Sequence, residues 1–163
     1  MATIAAKPKR SVRPLFPDDL ERVIAIDRAH SGHDRRSFYE KRFAAAKSNF
    51  EEFVQIGVAE GETLYGFAMA RILRGEFGRE HAIAVLDGLG VEAGTQDQGV
   101  GQTLMSELVR SLRNMGVRSL QSQAEWTNGN LLGFFAGSGF SLAPRFALER
   151  SVGEPLAEPA EDV

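Results

Sequence analysis

The residues best suited to chemistry lie in a glycine-bearing turn between an apolar strand pattern and an amphipathic helix pattern. The turn holds Gln96, Gly99 and Gly101, and the helical period of apolar residues begins at Val100. Glycine lets a ligand approach the backbone closely. The first amides of a helix have no acceptor within the helix, and the helix dipole favours an anion there. The turn therefore predicts a site for a phosphorylated ligand.

Two other phosphate-binding motifs compete for the same stretch. Gly94-x-x-x-x-Gly99 has the Walker spacing, but Lys and Ser or Thr do not follow it, which argues against a nucleoside triphosphatase. Gly88-x-Gly90-x-x-Ala93 imitates a dinucleotide-binding fingerprint, but no helical period begins before Val100. An ordinary strand–turn–helix junction is the remaining alternative for a match this short.

Composition limits the class of protein. The chain has 163 residues, of which 43% are hydrophobic and 25% charged, as expected for one soluble domain. The net charge of -3 argues against a nucleic-acid partner. The absence of cysteine excludes disulfides, thiolate zinc sites and a cysteine nucleophile. The three histidines lack metal-ligand spacing, so no metal site is predicted.

The two ends of the sequence differ in composition from its middle. Residues 1–10 predict a flexible leader, which is basic but has no apolar run long enough for a signal peptide. Residues 153–163 are rich in proline and acid and predict a disordered tail. Residues 11–152 predict a single domain. Because no run approaches the length of a membrane span, we expect a cytoplasmic protein without a membrane partner.

The elements that position the turn follow from hydrophobic periodicity. Alternation and apolar runs predict strands over 11–15, 53–59, 63–73, 81–91, 117–124, 140–143 and 146–152. Helical spacing predicts helices that begin near Asp18, Asp34, Val100 and Leu131. A hairpin at Glu60-Gly-Glu62 combined with crossover helices predicts an α/β fold with a mixed sheet.

Two motifs carry a family resemblance. Gln96-x-x-Gly99-x-Gly101 resembles the Q/R-x-x-G-x-G/A signature of the GNAT superfamily of N-acetyltransferases. The segment 128–140 resembles that family's N-x-x-A-x-x-F-Y-x-x-x-G-F element. The matching positions are Asn128, Phe134, Gly139 and Phe140. The motifs follow in the family's order, and the resemblance covers residues 11–152. It implies a mostly antiparallel central sheet flanked by helices, with splayed strands that hold CoA.

The resemblance implies transfer of an acetyl group from acetyl-CoA to an unidentified primary amine, by direct attack in a ternary complex. The alternative is a non-catalytic module that binds acyl-CoA and regulates. The sequence leaves the oligomeric state open, with a homodimer as one candidate. The positions that correspond to the family's cofactor site are Leu89, Gly90, Val91, Gln96, Asp97, Gln98, Gly99, Val100, Gly101, Gln102, Thr103, Asn128 and Phe135.

One position departs from the family pattern in a way that touches mechanism. The family often has Tyr where this chain has Phe135, and that phenol can protonate the departing thiolate. Tyr39 or Tyr65 could replace it only if the fold brings one near. A thiol is acidic enough to leave unassisted. We expect Phe134 in the core and Phe135 against the pantetheine arm of the cofactor.

Two carboxylates are candidates for handling the proton of the substrate ammonium. Asp87 interrupts a nearly apolar strand two residues before Leu89, and Glu125 follows the next strand. A buried salt bridge is the structural alternative for Asp87, and a solvated strand end for Glu125. The first helix–loop–helix, which often covers the substrate site in the family, carries further charged and titratable residues for which capping and solvated charge are the expected roles. They are Asp27, His30, His33, Arg35 and Arg36.

Overall fold

A computed structural model describes residues 9–153. The predicted leader and tail lie outside the described residues, apart from residues 9, 10 and 153. No helix in the described range is long and apolar enough to cross a membrane.

Five strands form one open sheet in chain order. They are β1 Ser11–Pro14, β2 Phe53–Glu60, β3 Thr63–Leu73, β4 Ile83–Val91 and β5 Ser119–Gln121. Each of the pairs β1–β2, β2–β3 and β3–β4 is antiparallel, and the pair β4–β5 is parallel. The β2–β3 hairpin turns at Gly61, whose φ of 61° is left-handed and suits glycine. The predicted mixed, mostly antiparallel sheet is confirmed.

Four helices cover the two faces of this sheet. They are α1 Leu20–Ser31, α2 Arg36–Ser48, α3 Val100–Asn114 and α4 Gly129–Gly137. On one face, α1 and α2 pack Ile26 and Tyr39 against Phe67 of β3. On the other face, α3 and α4 bury Leu104 and Phe135 against the sheet. The first half of β4 is therefore covered on both sides, which explains why its sequence is nearly all apolar.

The helix α1 begins at Leu20, two residues after the start predicted near Asp18. A 3-10 turn, Pro17–Asp19, precedes the helix. The Asp19 carboxylate accepts the Phe16 backbone N–H at 2.7 Å and pairs with Arg13 of β1 at 2.7 Å. Arg13 lies on β1, only six residues before Asp19. The carboxylate therefore fastens the start of the helix to the sheet edge.

The prediction of strands over 140–143 and 146–152 is wrong for the described chain. Residues 140–153 form neither helix nor strand, and β5 covers 119–121 instead of the predicted 117–124. Alternating side chains indicate that a segment can be a strand, but a strand also needs a hydrogen-bonded neighbour. Within the described chain, residues 140–153 have none.

Candidate functional site

A gap opens in the sheet between β4 and β5. The two strands pair only at Ile83–Val85, opposite Ser119–Gln121. Beyond that point, the Ser122 hydroxyl donates to the Leu86 carbonyl at 3.0 Å. From there β4 continues to Val91 with no paired strand on this edge in the described chain. The predicted cofactor residues 89–91 therefore lie beside the opening between β4 and β5.

A β-bulge at Asp87 contributes to this separation. Met69 of β3 pairs with Gly88 and Ala70 pairs with Leu86, so Asp87 is the extra residue. A bulge bends its strand and increases the local twist. The Asp87 side chain lies on the face covered by α2, where it meets Arg42, while the preceding Leu86 packs on the opposite face. The bulge thus places a carboxylate beside the gap.

The end of β4 leads into the glycine-bearing turn. Ala93–Gln98 form a 3-10 turn, and Gly99 has a left-handed φ of 77° immediately before α3. Thr103 donates the first backbone bond of the helix, to Gly99 at 3.0 Å. The amides at positions 100–102 therefore precede the helical hydrogen-bond ladder. Since residues 93–103 contain no Lys or Arg, an anion here would be held by backbone amides and the helix dipole.

The two glycines of the signature have different structural roles. A Cβ on Gly99 would meet nothing within 4 Å, so its left-handed φ is what requires glycine. Gly101 is buried, and a Cβ there would lie 2.9 Å from the Phe134 ring of α4. Its small size lets α4 pack against α3. We expected Gly101 to admit the ligand; the structure shows a packing reason for glycine at that position.

His30 joins α1 to both the turn and the gap. Its Nε2 contacts the Val91 carbonyl, and its Nδ1 lies 3.4 Å from the Gln96 side-chain nitrogen. Sequence reasoning expected capping or solvated charge for His30 and missed this bridge, because the two residues are 61 positions apart in the chain. The side chains of Asp97, Gln98, Gln102 and Thr103 are exposed, whereas Thr95 is buried and its hydroxyl donates to the Glu92 carbonyl at 3.0 Å.

Asp87 lies between two arginines. Its Oδ2 is 2.8 Å from Arg42 Nε on α2 and 3.8 Å from Arg71 Nε on β3. Burial raises the pKa of Asp87 above its ordinary value, and the attraction of the two guanidiniums only partly offsets this effect. Two cations thus face one carboxylate. The salt bridge anticipated as the structural alternative is present, and the carboxylate still borders the gap.

Glu125 and Asn128 lie in the connection from β5 to α4. Glu125 is exposed, next to Trp126, whose side chain is also exposed. The Asn128 Oδ1 accepts the Leu131 backbone N–H at 3.1 Å and caps α4. Asn128 therefore has a structural role, whether or not it also contacts a cofactor.

The aromatic residues of the second motif form part of the core. Phe135 is 8% exposed, with its ring centroid 4.8 Å from that of Phe140, while Phe134 is half-buried against Gly101. Tyr39 is completely buried, which raises the pKa of its phenol. Tyr65 is half-buried beneath the Arg10 guanidinium, 4.3 Å from the ring centroid. The Tyr39 hydroxyl accepts from Arg35 at 3.3 Å and is not free to face the gap.

Most charges of the first helix–loop–helix serve its structure. Asp27 is buried and pairs with Arg35, and Arg36 pairs with Glu21 at 2.6 Å. The Asp34 carboxylate accepts the Arg36 backbone N–H at 3.0 Å, at the first residue of α2. These contacts support the structural interpretation of these residues.

Comparison with protein families gives one match over most of the chain. Residues 16–140 match the Acetyltransferase (GNAT) family. This range includes β2 to β5, the turn and all four helices. No curated protein sequence matches significantly.

Solved structures share the fold at low sequence identity. A transcriptional regulator from Bacillus halodurans has a TM-score of 0.75 at 17% identity, covering 88% of this chain and 99% of that one. An aminoglycoside N-acetyltransferase in complex with CoA has a TM-score of 0.73 at 16% identity, covering 93% and 100%. Glucosamine-6-phosphate N-acetyltransferase from Arabidopsis thaliana has 0.67 at 13% identity, covering 89% and 99%.

Proposed function

Because the chain belongs to the Acetyltransferase (GNAT) family, we propose that it transfers the acetyl group of acetyl-CoA to a primary amine, by direct attack in a ternary complex. One observation supports this proposal above the others. The gap between β4 and β5 runs directly into a turn whose helix-start amides precede the hydrogen-bond ladder. A ligand with a long arm and a pyrophosphate fits such a continuous groove and turn.

The residues present suit that cosubstrate. The amides at 100–102 would hold the pyrophosphate, with the open left-handed Gly99 leaving room for it. The exposed backbone edge of residues 89–91 would hold the arm. When bound, acetyl-CoA supplies a thioester-activated acetyl group. A backbone N–H in residues 89–91 would donate to the acetyl oxygen as negative charge develops there.

Asp87 is the best-supported proton acceptor. Its raised pKa brings it closer to the value that an efficient base needs at neutral pH. As an anionic anchor for an ammonium it is less suited, because Arg42 and Arg71 already compensate its charge. Glu125 is the second candidate, since it is exposed and follows β5.

The thiolate leaves without a tyrosine acid in this proposal. Phe135 has no proton to give, Tyr39 is completely buried, and the ring of Tyr65 lies beneath the Arg10 guanidinium. A thiol has an ordinary pKa of about 8.5, so departure as the anion and protonation by water suffice. The alternative function, a non-catalytic module that binds acyl-CoA and regulates, is favoured by the same lack of an acid.

Release of free CoA thiol separates the two functions. The full-length protein is incubated with acetyl-CoA and a panel of amines that includes diamines, amino sugars, amino acids and peptides. Thiol release that depends on one amine class supports the transferase. Tight CoA binding by calorimetry without release for any amine supports the regulatory module. Absence of CoA binding contradicts both.

A further inference from the structure

Three arginines from separate parts of the chain line one surface recess. Arg79 lies in the β3–β4 connection, Arg118 precedes β5, and Arg145 follows α4. The recess has a volume of about 360 Å³, and Glu80 is the one acid among the residues that line it. Three guanidiniums against one carboxylate make the recess positive, although the whole chain carries a net charge of -3. A concave site with such an excess of positive charge attracts anions.

These arginines have no ionic partner in the described chain. No carboxylate oxygen of a described residue lies within 4.0 Å of a guanidinium nitrogen of Arg79, Arg118 or Arg145. The backbone N–H of Arg79 donates to Glu76 at 3.2 Å, and that of Arg118 donates to Ala82 at 3.0 Å. Like charges on a fixed backbone repel one another, so an anion bound among them would stabilise the arrangement.

A buried amide donor at the same recess also lacks an acceptor. Gln121 lines the recess, and its Nε2 is buried with no hydrogen-bond partner among the described residues. A buried donor without an acceptor destabilises a fold, and an oxygen of a bound ligand would satisfy it. Phosphate and carboxylate oxygens accept from amides and also match the fork of a guanidinium. The recess therefore suits an oxyanion.

The recess lies on the same face of the sheet as Asp87. Ala84 of β4 and Leu120 of β5 pack in the core beneath α3. Side chains alternate along a strand, so Ile83 and Gln121, which line the recess, point to the opposite face. Asp87 lies on that opposite face, under α2. One ligand on this face can therefore reach both the recess and the carboxylate.

The recess, Asp87 and the glycine-bearing turn follow one another along β4. The recess is at Ile83, Asp87 comes four residues later, and the turn begins after Val91. At about 3.3 Å per residue, Ile83 lies roughly 13 Å from Asp87 and roughly 26 Å from Val91. Arg71, which pairs with Val85, stands between the recess and Asp87. The recess is therefore too far from the turn to bind the same pyrophosphate.

On the basis of the proposed acetyl transfer, we propose that the recess binds an anionic group of the amine substrate while the amino group lies at Asp87. The acceptor is then a primary amine with a phosphate, or a similar oxyanion, on the order of 10 Å from its nitrogen. The excess of two positive charges in the recess, three arginines minus one glutamate, matches a phosphate dianion.

The chemical step is the one already proposed. The amine nitrogen bonds to the acetyl carbon, the C–S bond breaks, and its electron pair leaves on sulfur. The proton of the ammonium passes to Asp87. The recess takes no part in these bond changes; it orients the acceptor, so that its effect falls on kcat/KM for amines that carry the anion.

The first experiment uses aminoalkyl phosphates of increasing length, from aminoethyl to aminodecyl phosphate, and the amino alcohol of each length. The ratio of kcat/KM for the phosphate to kcat/KM for the alcohol should be largest for chains that span on the order of 10 Å, and there about tenfold. We expect Arg118→Gln and Arg79→Gln each to remove most of this advantage. Arg113→Gln is the matched control, because Arg113 is exposed on α3 and lies outside the recess. A ratio that is the same in all four proteins would overturn the proposal.

Binding measured without acetyl-CoA distinguishes failure of this proposal from failure of the transfer. Calorimetry gives the affinity of aminooctyl phosphate for the four proteins at low ionic strength, since salt screens exposed charges. Circular dichroism checks that the variants fold. Weaker binding by Arg118→Gln and Arg79→Gln, but not by Arg113→Gln, supports the recess even if no amine releases thiol. No binding, or equal binding by all four proteins, would overturn the recess even if other amines are acetylated.

Discussion

Asp87 illustrates how a residue can satisfy a structural and a chemical requirement together. It is the extra residue of a bulge, it pairs with Arg42, and it borders the gap in the sheet. An aspartate on a regular strand would not combine these three features. The bulge costs β4 one position of regular pairing with β3, close to the point where its pairing with β5 ends.

We predict that Asp87→Asn lowers turnover by ~10²–10⁴-fold while CoA affinity holds. Asparagine keeps the size and removes the proton-accepting charge. In the natural protein, turnover should rise as the pH increases through the raised pKa of Asp87, since only its anion accepts a proton. Glu125→Gln is the comparison, as an exposed acid at the other candidate position. Unchanged kinetics in a folded Asp87→Asn variant would remove Asp87 from the mechanism.

The same pKa shift has a consequence for stability. Because burial raises the pKa of Asp87 in the folded state, protonation favours folding, and this contribution is lost as the pH rises through the raised value. The free energies of unfolding of the natural protein and of Asp87→Asn are compared from below the ordinary aspartate pKa of about 3.9 up to neutral pH. We expect the natural protein to lose stability relative to the variant as the pH rises. A difference that is independent of pH would contradict the shift.

The excess of cations around Asp87 predicts a preference among amines. Arg42 and Arg71 leave a net positive charge beside one carboxylate, so an amine that also carries an anionic group should be used better than a polyamine. Arg71→Gln should lower the ratio of kcat/KM for the anionic amine to kcat/KM for the polyamine. Arg74→Gln is the control, because Arg74 is exposed just beyond β3. If this ratio is the same in the natural protein and in Arg71→Gln, Arg71 does not set the preference among amines.

At the scale of elements, α3 carries a nearly symmetric pair of glycines. Gly99 precedes the helix and Gly116 follows it, and both have a φ of 77° with nothing within 4 Å of a would-be Cβ. The backbone strain of adding a side chain is thus similar at both ends. Only the start of the helix presents free amides to an anion.

We therefore predict that Gly99→Ala weakens CoA binding and that Gly116→Ala does not. Both variants should lose a similar ~1–2 kcal/mol of stability, since alanine is disfavoured at positive φ. Calorimetry with CoA measures affinity, and thermal unfolding measures stability. Equal loss of CoA affinity in the two variants would mean that strain alone, and no contact at the turn, explains the effect.

The elements differ in how far local sequence could predict them. The hairpin over β2 and β3 and the helix α3 follow from alternation, turn residues and helical spacing, which are properties of neighbouring residues. The pair of Arg42 with Asp87 and the bridge from His30 to Val91 join distant segments. No local pattern contains such contacts, so the sequence could name the residues without placing them together.

At the scale of the whole molecule, one sheet positions both parts of the candidate site. The strand β4 ends in the glycine-bearing turn, and its pairing with β5 ends next to Asp87.

The division into a leader, a domain over 11–152 and an acidic tail stays a prediction. The family match begins at residue 16 and ends at 140, so it covers the sheet from β2 and stops before residues 141–153. The amine acceptor is likewise a matter for the substrate panel and for the charge preference at Arg71.

The sequence by itself determined the class of fold and the position of the turn. Period and turn chemistry are local, and Gln96, Gly99 and Gly101 lie within six residues, so spacing alone could identify them. Only the tertiary structure decided what surrounds each residue. It paired Asp87 with Arg42, buried Phe135 in the core and left the strand-like segment 146–152 without a neighbour. A strand pattern specifies which face must be buried, but the segment that covers this face is set by contacts between residues distant in sequence.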